Sequence, residues 1–232
     1  VKINGYNPQP GDVKFKDLRP DGVINAGDNT VDNPGDRKII GNDAARYQFG
    51  ISLGASYKGW SLEVLLQGVG KRDYWLGGPA MFPFGGAGAG DAVFQALYAN
   101  QTDYWRAKSY DPSSSDYMVP VNPDSKLFRI YDQGNNVGSN TRVSDKYLQN
   151  AAYMRIKNIT LAYTLPKEWV KRAFIQDAKF YLSIENLATF SSLPKGYDPE
   201  GTAPSSTANA LSNGISWGYP YYRTISLGAS IT

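Results

Sequence analysis

The sequence predicts an all-β fold, part of the wall of a large antiparallel transmembrane β-barrel with long extracellular loops. Three observations carry this. Several stretches alternate apolar and polar residues one for one, the period of a half-buried strand. No run of about 18 apolar residues occurs, so no helix crosses a membrane, whereas a barrel strand hides its apolar residues at every second position. The connections between strands alternate between long and short.

Residues 1–46 read as loop. Residues 47–57, YQFGISLGASY, form the cleanest strand: Tyr47, Phe49, Ile51, Leu53, Ala55 and Tyr57 share one face, and Gln48, Gly50, Ser52, Gly54 and Ser56 the other. Aromatic residues at both ends of an aliphatic band match the interfacial girdles of a membrane barrel. Lys58 and Gly59 fit a two-residue hairpin turn, and 60–69 return with Trp60, Leu62, Val64 and Leu66 on one face. Residues 70–149 are irregular, with one or two helical turns expected at 91–98. Their glycines lack the spacing and the Gly-Lys-Ser/Thr ending of a phosphate loop.

The next strand spans 151–165. Ile159, Leu161, Tyr163 and Leu165 lie on one face, but Met154 and Ile156 fall on the opposite parity. A bulge near Lys157 and Asn158, or a passage out of the apolar layer, would explain the slip, and Pro166 stops the pairing. A short amphipathic turn or helix follows at 167–176, then a strand at 177–190 and a Gly/Pro/Ser-rich loop at 191–219. The last strand, 220–232, carries Ile225, Leu227, Ala229 and Ile231 on one face. ISLGAS occurs at both 51–56 and 225–230. Six residues are too few for a repeat array, and shared barrel chemistry explains them.

Antiparallel strands place alternate connections at opposite ends. The long loops 1–46, 70–149 and 191–219 therefore fall at one end, and the short connections 58–59 and 166–176 at the other. Outer-membrane barrels show this asymmetry; a soluble sandwich has no reason for it. Each strand holds the roughly 9–11 residues needed to cross the hydrocarbon layer. Five strands cannot close a barrel, and open edges are not tolerated in lipid. The expectation is a segment of a larger wall. By the same parity a position 233 would face lipid at the periplasmic interface, where an aromatic residue is expected.

Composition removes many chemistries. The chain of 232 residues has no Cys and no His, which excludes disulfides, thiolate or imidazole metal sites, and Ser-His-Asp catalysis. The formal net charge of +3 comes without a Lys/Arg run, so no nucleic-acid partner is expected. An enzyme is not expected either. One metal candidate exists: Asp17, Asp21, Asn25 and Asp28 approximate the first, fifth, ninth and twelfth places of a calcium loop, with the Val23 carbonyl at the seventh. Arg19 stands at the third place and cannot ligate; Asp36 is a rival closing residue. The alternative is an Asp/Gly/Asn turn without metal. Exposed loop aromatics could stack on a ligand, with Trp75, Tyr104, Trp105, Trp217 and Tyr219 as candidates; packing on each other or on a partner is the alternative.

Several motifs resemble one family. YMRIKNITLAYTLP at 153–166 is similar to the late strand of the SusC/RagA family of TonB-dependent outer-membrane transporters. NPQPGDVKFKDLRPDGVI at 7–24, DRKIIGN at 36–42, YQFGISLGASYKGWSLEVLLQGVGKRDYW at 47–75, FYLSIENLATF at 180–190, KGYDPE at 195–200 and YPYYRTISLGASI at 219–231 resemble its other C-terminal motifs. Arg19 and Pro20 depart from the family's Asn-Gly, and 29–35 look inserted before Asp36 and Arg37.

The resemblance implies the C-terminal portion of a barrel of about 22 strands, in the bacterial outer membrane and embedded in its lipid. It implies import of an oligosaccharide or peptide, energised through TonB, with a SusD-like surface lipoprotein as partner. No cofactor is required beyond the possible structural Ca2+. Signal peptide, TonB-contacting segment and plug are expected outside these residues. A passive porin-like barrel and a soluble calcium-dependent carbohydrate-binding β-module are the alternatives.

Overall fold

The computed structural model describes residues 2–3, 7–75, 82, 97, 99–130, 139–172, 174–195, 197–201 and 221–232. The chain forms two compact units. One comprises Val1–Gly41, Trp75–Leu148 and Ser205–Ile215; the other Asn42–Tyr74, Gln149–Pro204 and Ser216–Thr232. The expected helical turns at 91–98 lie almost wholly outside the described residues.

The second unit is built on one antiparallel sheet. Its strands are β3 (Arg46–Tyr57), β4 (Trp60–Lys71), β7 (Tyr153–Thr164), β8 (Ala178–Ser191) and β9 (Thr224–Ile231), in the spatial order β3-β4-β7-β8-β9. Strand β9 begins a few residues later than expected, because Tyr221, Tyr222 and Arg223 are not in the ladder. The regions expected as loops also hold short strands: β1 (Lys2–Ile3) pairs in parallel with β2 (Val23–Ile24), and β5 (Asp73–Trp75) with β6 (Leu148–Asn150).

Period-two patterning becomes a two-faced sheet through the register. Ile51 faces Leu66, Leu53 faces Val64, and Tyr57 faces Trp60. Leu66 in turn faces Ile156, Val64 faces Ile159, and Leu62 faces Leu161. On β8, Ile159 meets Ile184, and Ile184 meets Ile225. One apolar face therefore runs unbroken across all five strands. Lys58 and Gly59 both have positive φ, 45° and 87°. That is the type I′ geometry whose twist suits a hairpin.

The phase slip in β7 is a bulge. Leu65 pairs with Asn158 but Leu66 with Ile156, so Lys157 is extra relative to β4. Against β8, Ile156 pairs with Ala188 and Asn158 with Glu185, which leaves Asn186 and Leu187 opposite Lys157. Asn186 adopts φ 52°, a left-handed conformation that Asn tolerates better than most residues. The extra residue lets Met154 and Ile156 join Ile159, Leu161 and Tyr163 on one face.

After β7, a short helix, Lys167–Lys171, buries Val170 and leads into β8. The first unit has its own aromatic core: Val13, Phe82, Leu127, Phe128 and Tyr147 are buried, with Phe15, Trp75 and Tyr104 packed against them.

Candidate functional site

The two faces of the sheet differ in chemistry. The apolar face is exposed: Leu227 is 84% accessible, and Leu53, Trp60, Phe180, Phe190 and Ile225 are also open. Leaving such a continuous face bare to water forfeits about 25 cal/mol per Å2 of possible burial, so it demands an apolar neighbour. At the turn end, Tyr57, Trp60, Tyr163 and Phe180 form one cross-strand row, with the Trp60 and Tyr163 rings 4.7 Å apart. At the loop end, Phe49 and Phe190 lie in the row of Gly68 and Met154. Eight residues separate Phe49 from Tyr57. That is about 27 Å along the strand and roughly 20 Å along a membrane normal at a tilt near 40°, against an apolar band of about 25 Å in membrane barrels.

The opposite face is polar and internally bonded. Asn158 Nδ2 donates to Ser183 Oγ at 3.0 Å, Thr160 Oγ1 donates to Asn158 Oδ1 at 2.9 Å, and the Thr160 and Ser183 hydroxyls are 3.1 Å apart. Gly228 leaves room for the Tyr181 ring: a Cβ there would stand 2.1 Å from Tyr181 Cζ.

Above the bulge, this face carries a buried charge cluster that sequence reasoning missed. The Arg155 side chain is 2% exposed; it donates to Asp198 Oδ1 at 2.7 Å and Thr189 Oγ1 at 2.8 Å, and its Nη1 lies 3.1 Å from Glu200 Oε2 as an ion pair. Lys157 Nζ lies 2.8 Å from the same Glu200 oxygen. The Tyr221 ring covers both cations, 5.0 Å from Arg155 and 4.6 Å from Lys157. Asp198 also accepts the backbone N–H groups of Glu200 at 2.9 Å and Tyr221 at 3.2 Å. Burial pushes the Asp198 carboxyl up, but those donors and Arg155 outweigh it and hold it below the usual aspartate value. Arg72, also buried, donates to the carbonyls of Asp43 and Pro199. The cluster ties the segment after β8 to the polar face of β7. A sequence signal existed: two cations at Arg155 and Lys157 on the polar parity, and two carboxylates in the KGYDPE stretch.

The aspartate loop closes differently from the sequence reading. Asp28 is not the closing residue. Gly27 and Gly35 meet so tightly that a Cβ on Gly35 would lie 2.3 Å from Gly27 N, which pinches 28–34 out as an excursion. Within it, Asp28 accepts from Asn33 Nδ2 at 2.7 Å. Asp36 takes the closing place. Its oxygens accept the backbone N–H groups of Leu18 at 2.8 Å, Arg19 at 3.2 Å and Asn25 at 2.8 Å. The Asn25 bond, with those of Leu18 and Arg19 and the Arg19 charge, holds its carboxyl below the usual range although partial desolvation pushes it up. Asp17 Oδ2 accepts from Gly22 N–H at 2.9 Å, Asp21 Oδ1 from Val23 N–H at 2.8 Å, and Asn25 Oδ1 from Gly27 N–H at 2.7 Å; Asn25 Nδ2 donates to the Val23 carbonyl.

These residues do not fit a calcium cage as they stand. A hard divalent ion needs about six to eight oxygens. Here Asp17, Asp21, Asn25 and Asp36 accept from backbone donors and Asp28 from the Asn33 amide, Arg19 stands at a ligand place, and of these residues only Asp17 has a buried oxygen, Oδ1, without a hydrogen-bond partner. Among the described residues no group of three acidic side chains could hold a metal.

Of the candidate stacking aromatics, Trp75 and Tyr104 pack against the aromatic core, and Trp105 is buried separately beside Gly11. Trp75 packs on Phe82 with ring centroids 5.8 Å apart, Tyr104 lies against the same cluster, and Trp105 is only 7% exposed, held where Gly11 leaves room for its ring. Trp105 also lines a cleft of about 580 Å3 with Phe15, Lys14, Lys16 and Lys146. Trp217 and Tyr219 lie outside the described residues.

No family model matches the chain. Two curated proteins of Formosa agariphila do. TonB-dependent receptor P3 is 26% identical over 227 residues, covering 96% of this chain and 19% of that protein. TonB-dependent receptor P26 is 23% identical over 224 residues, covering 96% of this chain and 20% of that protein. The chain thus spans about a fifth of the length of the curated relatives it matches. Among solved structures it is similar to the RagAB peptide transporter, at 23% identity and TM-score 0.47 over 79% of this chain and 17% of that one. It is also similar to the RagAB peptide importer in the closed-closed state, at 22% identity and TM-score 0.43 over the same shares. The likeness to TonB-dependent receptors read from the motifs is borne out across nearly the whole chain.

Proposed function

We propose that this chain is the C-terminal wall segment of a TonB-dependent outer-membrane importer of glycan fragments or peptides, working with a SusD-like surface lipoprotein. The observation that carries the reading is the five-stranded sheet with one continuous, exposed apolar face and one polar, hydrogen-bonded face. A soluble module would have to bury the first; a membrane wall turns it to lipid and the second to a water-filled lumen. Matches to two TonB-dependent receptors over 96% of the chain favour active import over a passive pore. In this reading 1–46, 70–149 and 191–219 lie outside the cell, and 58–59 and 166–176 in the periplasm. The chain's own contribution is mechanical and electrostatic: it seals the wall, and its charge cluster fixes one outer loop to that wall.

Two measurements on the full-length protein test this. Single cysteines replacing Ser114 and Lys58 are treated with an impermeant thiol reagent on intact cells; Ser114 should label and Lys58 should not. The reverse pattern inverts the orientation. Uptake of the cognate substrate should stop when the proton-motive force is dissipated. Uptake that continues unchanged identifies a passive barrel instead.

A further inference from the structure

The short connection after β7 presents two aromatic side chains outward, Trp169 and Phe174. The helix Lys167–Lys171 ends with Ile175 N–H donating to the Val170 carbonyl at 3.2 Å and Phe174 N–H to that of Lys171 at 3.1 Å. This is the Schellman pattern, whose left-handed position is usually glycine, because an L side chain there is disfavoured by about an order of magnitude. Phe174 occupies that position at φ 61° and is 100% exposed. A strained aromatic that buries nothing within its own chain calls for a surrounding that receives it. Trp169, on the same turn, is 65% exposed, while Val170 supplies the turn's own packing.

Two further features identify that surrounding. The turn follows Thr164, the last residue of β7, whose neighbour Tyr163 belongs to the aromatic row Tyr57, Trp60, Tyr163 and Phe180 that borders the apolar face. Its exposed rings therefore continue an aromatic belt. The same end carries Lys58, Lys167, Lys171 and Arg172 against Glu168 and Asp177. Lys58 Nζ rests 5.2 Å from the centre of the Tyr57 ring.

We propose that 166–177 form an interfacial foot. Trp169 and Phe174 enter the boundary between headgroups and acyl chains of the inner leaflet, and Lys58, Lys167, Lys171 and Arg172 hold the headgroups of anionic phospholipids. The proposal rests on the membrane orientation given above. Aromatic rings favour that boundary, and each basic residue near an anionic surface strengthens binding by about fivefold. An amphipathic segment so placed sinks its apolar side about 5–10 Å into the interface.

The test uses the full-length protein in proteoliposomes, with an environment-sensitive fluorophore on single cysteines at Gln176, Leu161 or Ser114 and nitroxide-labelled lipids as quenchers. The label at 176 should be quenched several-fold more than the one at 114, and more by headgroup-proximal than by chain-end nitroxides. Phe174→Gly, which relieves the left-handed strain, should reduce quenching at 176 several-fold. Enrichment of labelled phosphatidylglycerol around the protein should fall at least tenfold in Lys167→Gln/Lys171→Gln/Arg172→Gln. Quenching at 161 without quenching at 176 overturns the foot and leaves the barrel standing; no quenching at 161 overturns the barrel itself. Unchanged quenching in the glycine variant removes Phe174 from the role. Unchanged lipid enrichment in the triple variant refutes the anionic-lipid assignment and leaves a protein or cell-wall contact as the occupant.

Discussion

Replacing Arg155 by methionine should release the segment that follows β8 while leaving the sheet intact. The side chains of Arg155, Asp198 and Glu200 are 2%, 10% and 10% exposed, so solvent screening is slight. Removing one partner of a buried ion pair costs about 3–5 kcal/mol. Here the lower end applies. Asp198 keeps two backbone N–H donors, and Glu200 keeps Lys157 at 2.8 Å. About 3 kcal/mol, at roughly 1.4 kcal/mol per decade, is a rise of about 100-fold in the locally open population. Hydrogen exchange with mass spectrometry on the full-length protein in detergent reads this directly. Protection at the amides of Glu200 and Gly201, the latter donating to the Asp198 carbonyl, should fall by about two decades, with β3 and β4 unchanged. A change below about threefold would show that the cluster does not fasten this segment. Equal losses throughout the sheet would show that it supports the whole wall instead.

The same segment should loosen with acid only at low pH. Because the folded Asp198 carboxyl lies below its ordinary value of 3.8, its stabilisation is complete above that pH and is lost as pH falls through the folded value. Protection at Glu200 should stay flat from about pH 7 to about pH 5, and a decline within that range would point to another group. For the aspartate loop, millimolar calcium should leave tryptic cleavage after Lys16 and Arg37 unchanged, whereas Arg19→Asn should acquire calcium-dependent protection at both; calcium protection of the unaltered protein would refute the reading. Gly228→Ala drives a methyl into the Tyr181 ring and should destabilise the barrel by about 1–3 kcal/mol. That should lower the temperature at which its gel mobility shifts, and Tyr181→Ser in the same protein should restore it; additive losses would exclude the clash.

Strands, hairpin turn and bulge were legible because each depends on neighbours in sequence. Alternation fixed which residues of 47–57 share a face, and the parity conflict between Ile156 and Ile159 marked the place where the register shows a bulge in preference to a passage out of the apolar layer. What was not legible depends on distance along the chain. Asp28 stands at the closing ligand place by spacing, yet Gly27 and Gly35 meet and substitute Asp36. Arg155 lies 43 residues from Asp198, and charges on the polar parity of a strand read as solvated until the loop folds back over them. The loop aromatics could equally line a surface or a core; Phe82, from the long irregular stretch, decides it by stacking on Trp75, Phe128 and Tyr147.

The extra residue at Lys157 does not stay local. Between the same two rows of the ladder β4 advances one residue, from Leu65 to Leu66; β7 advances two, from Asn158 to Ile156; β8 advances three, from Glu185 to Ala188. The wall therefore contains a wedge, like a dislocation in a crystal, that starts at β4 and widens by one residue per strand through β7 to β8. In a barrel, stagger, tilt and girth are linked. The part nearer the turns and the part nearer the loops then obey different staggers, and a shear number counted in one does not carry into the other. Loops can leave the sheet from shifted starting points, while the rows between the wedge and the turns keep an ordinary lattice.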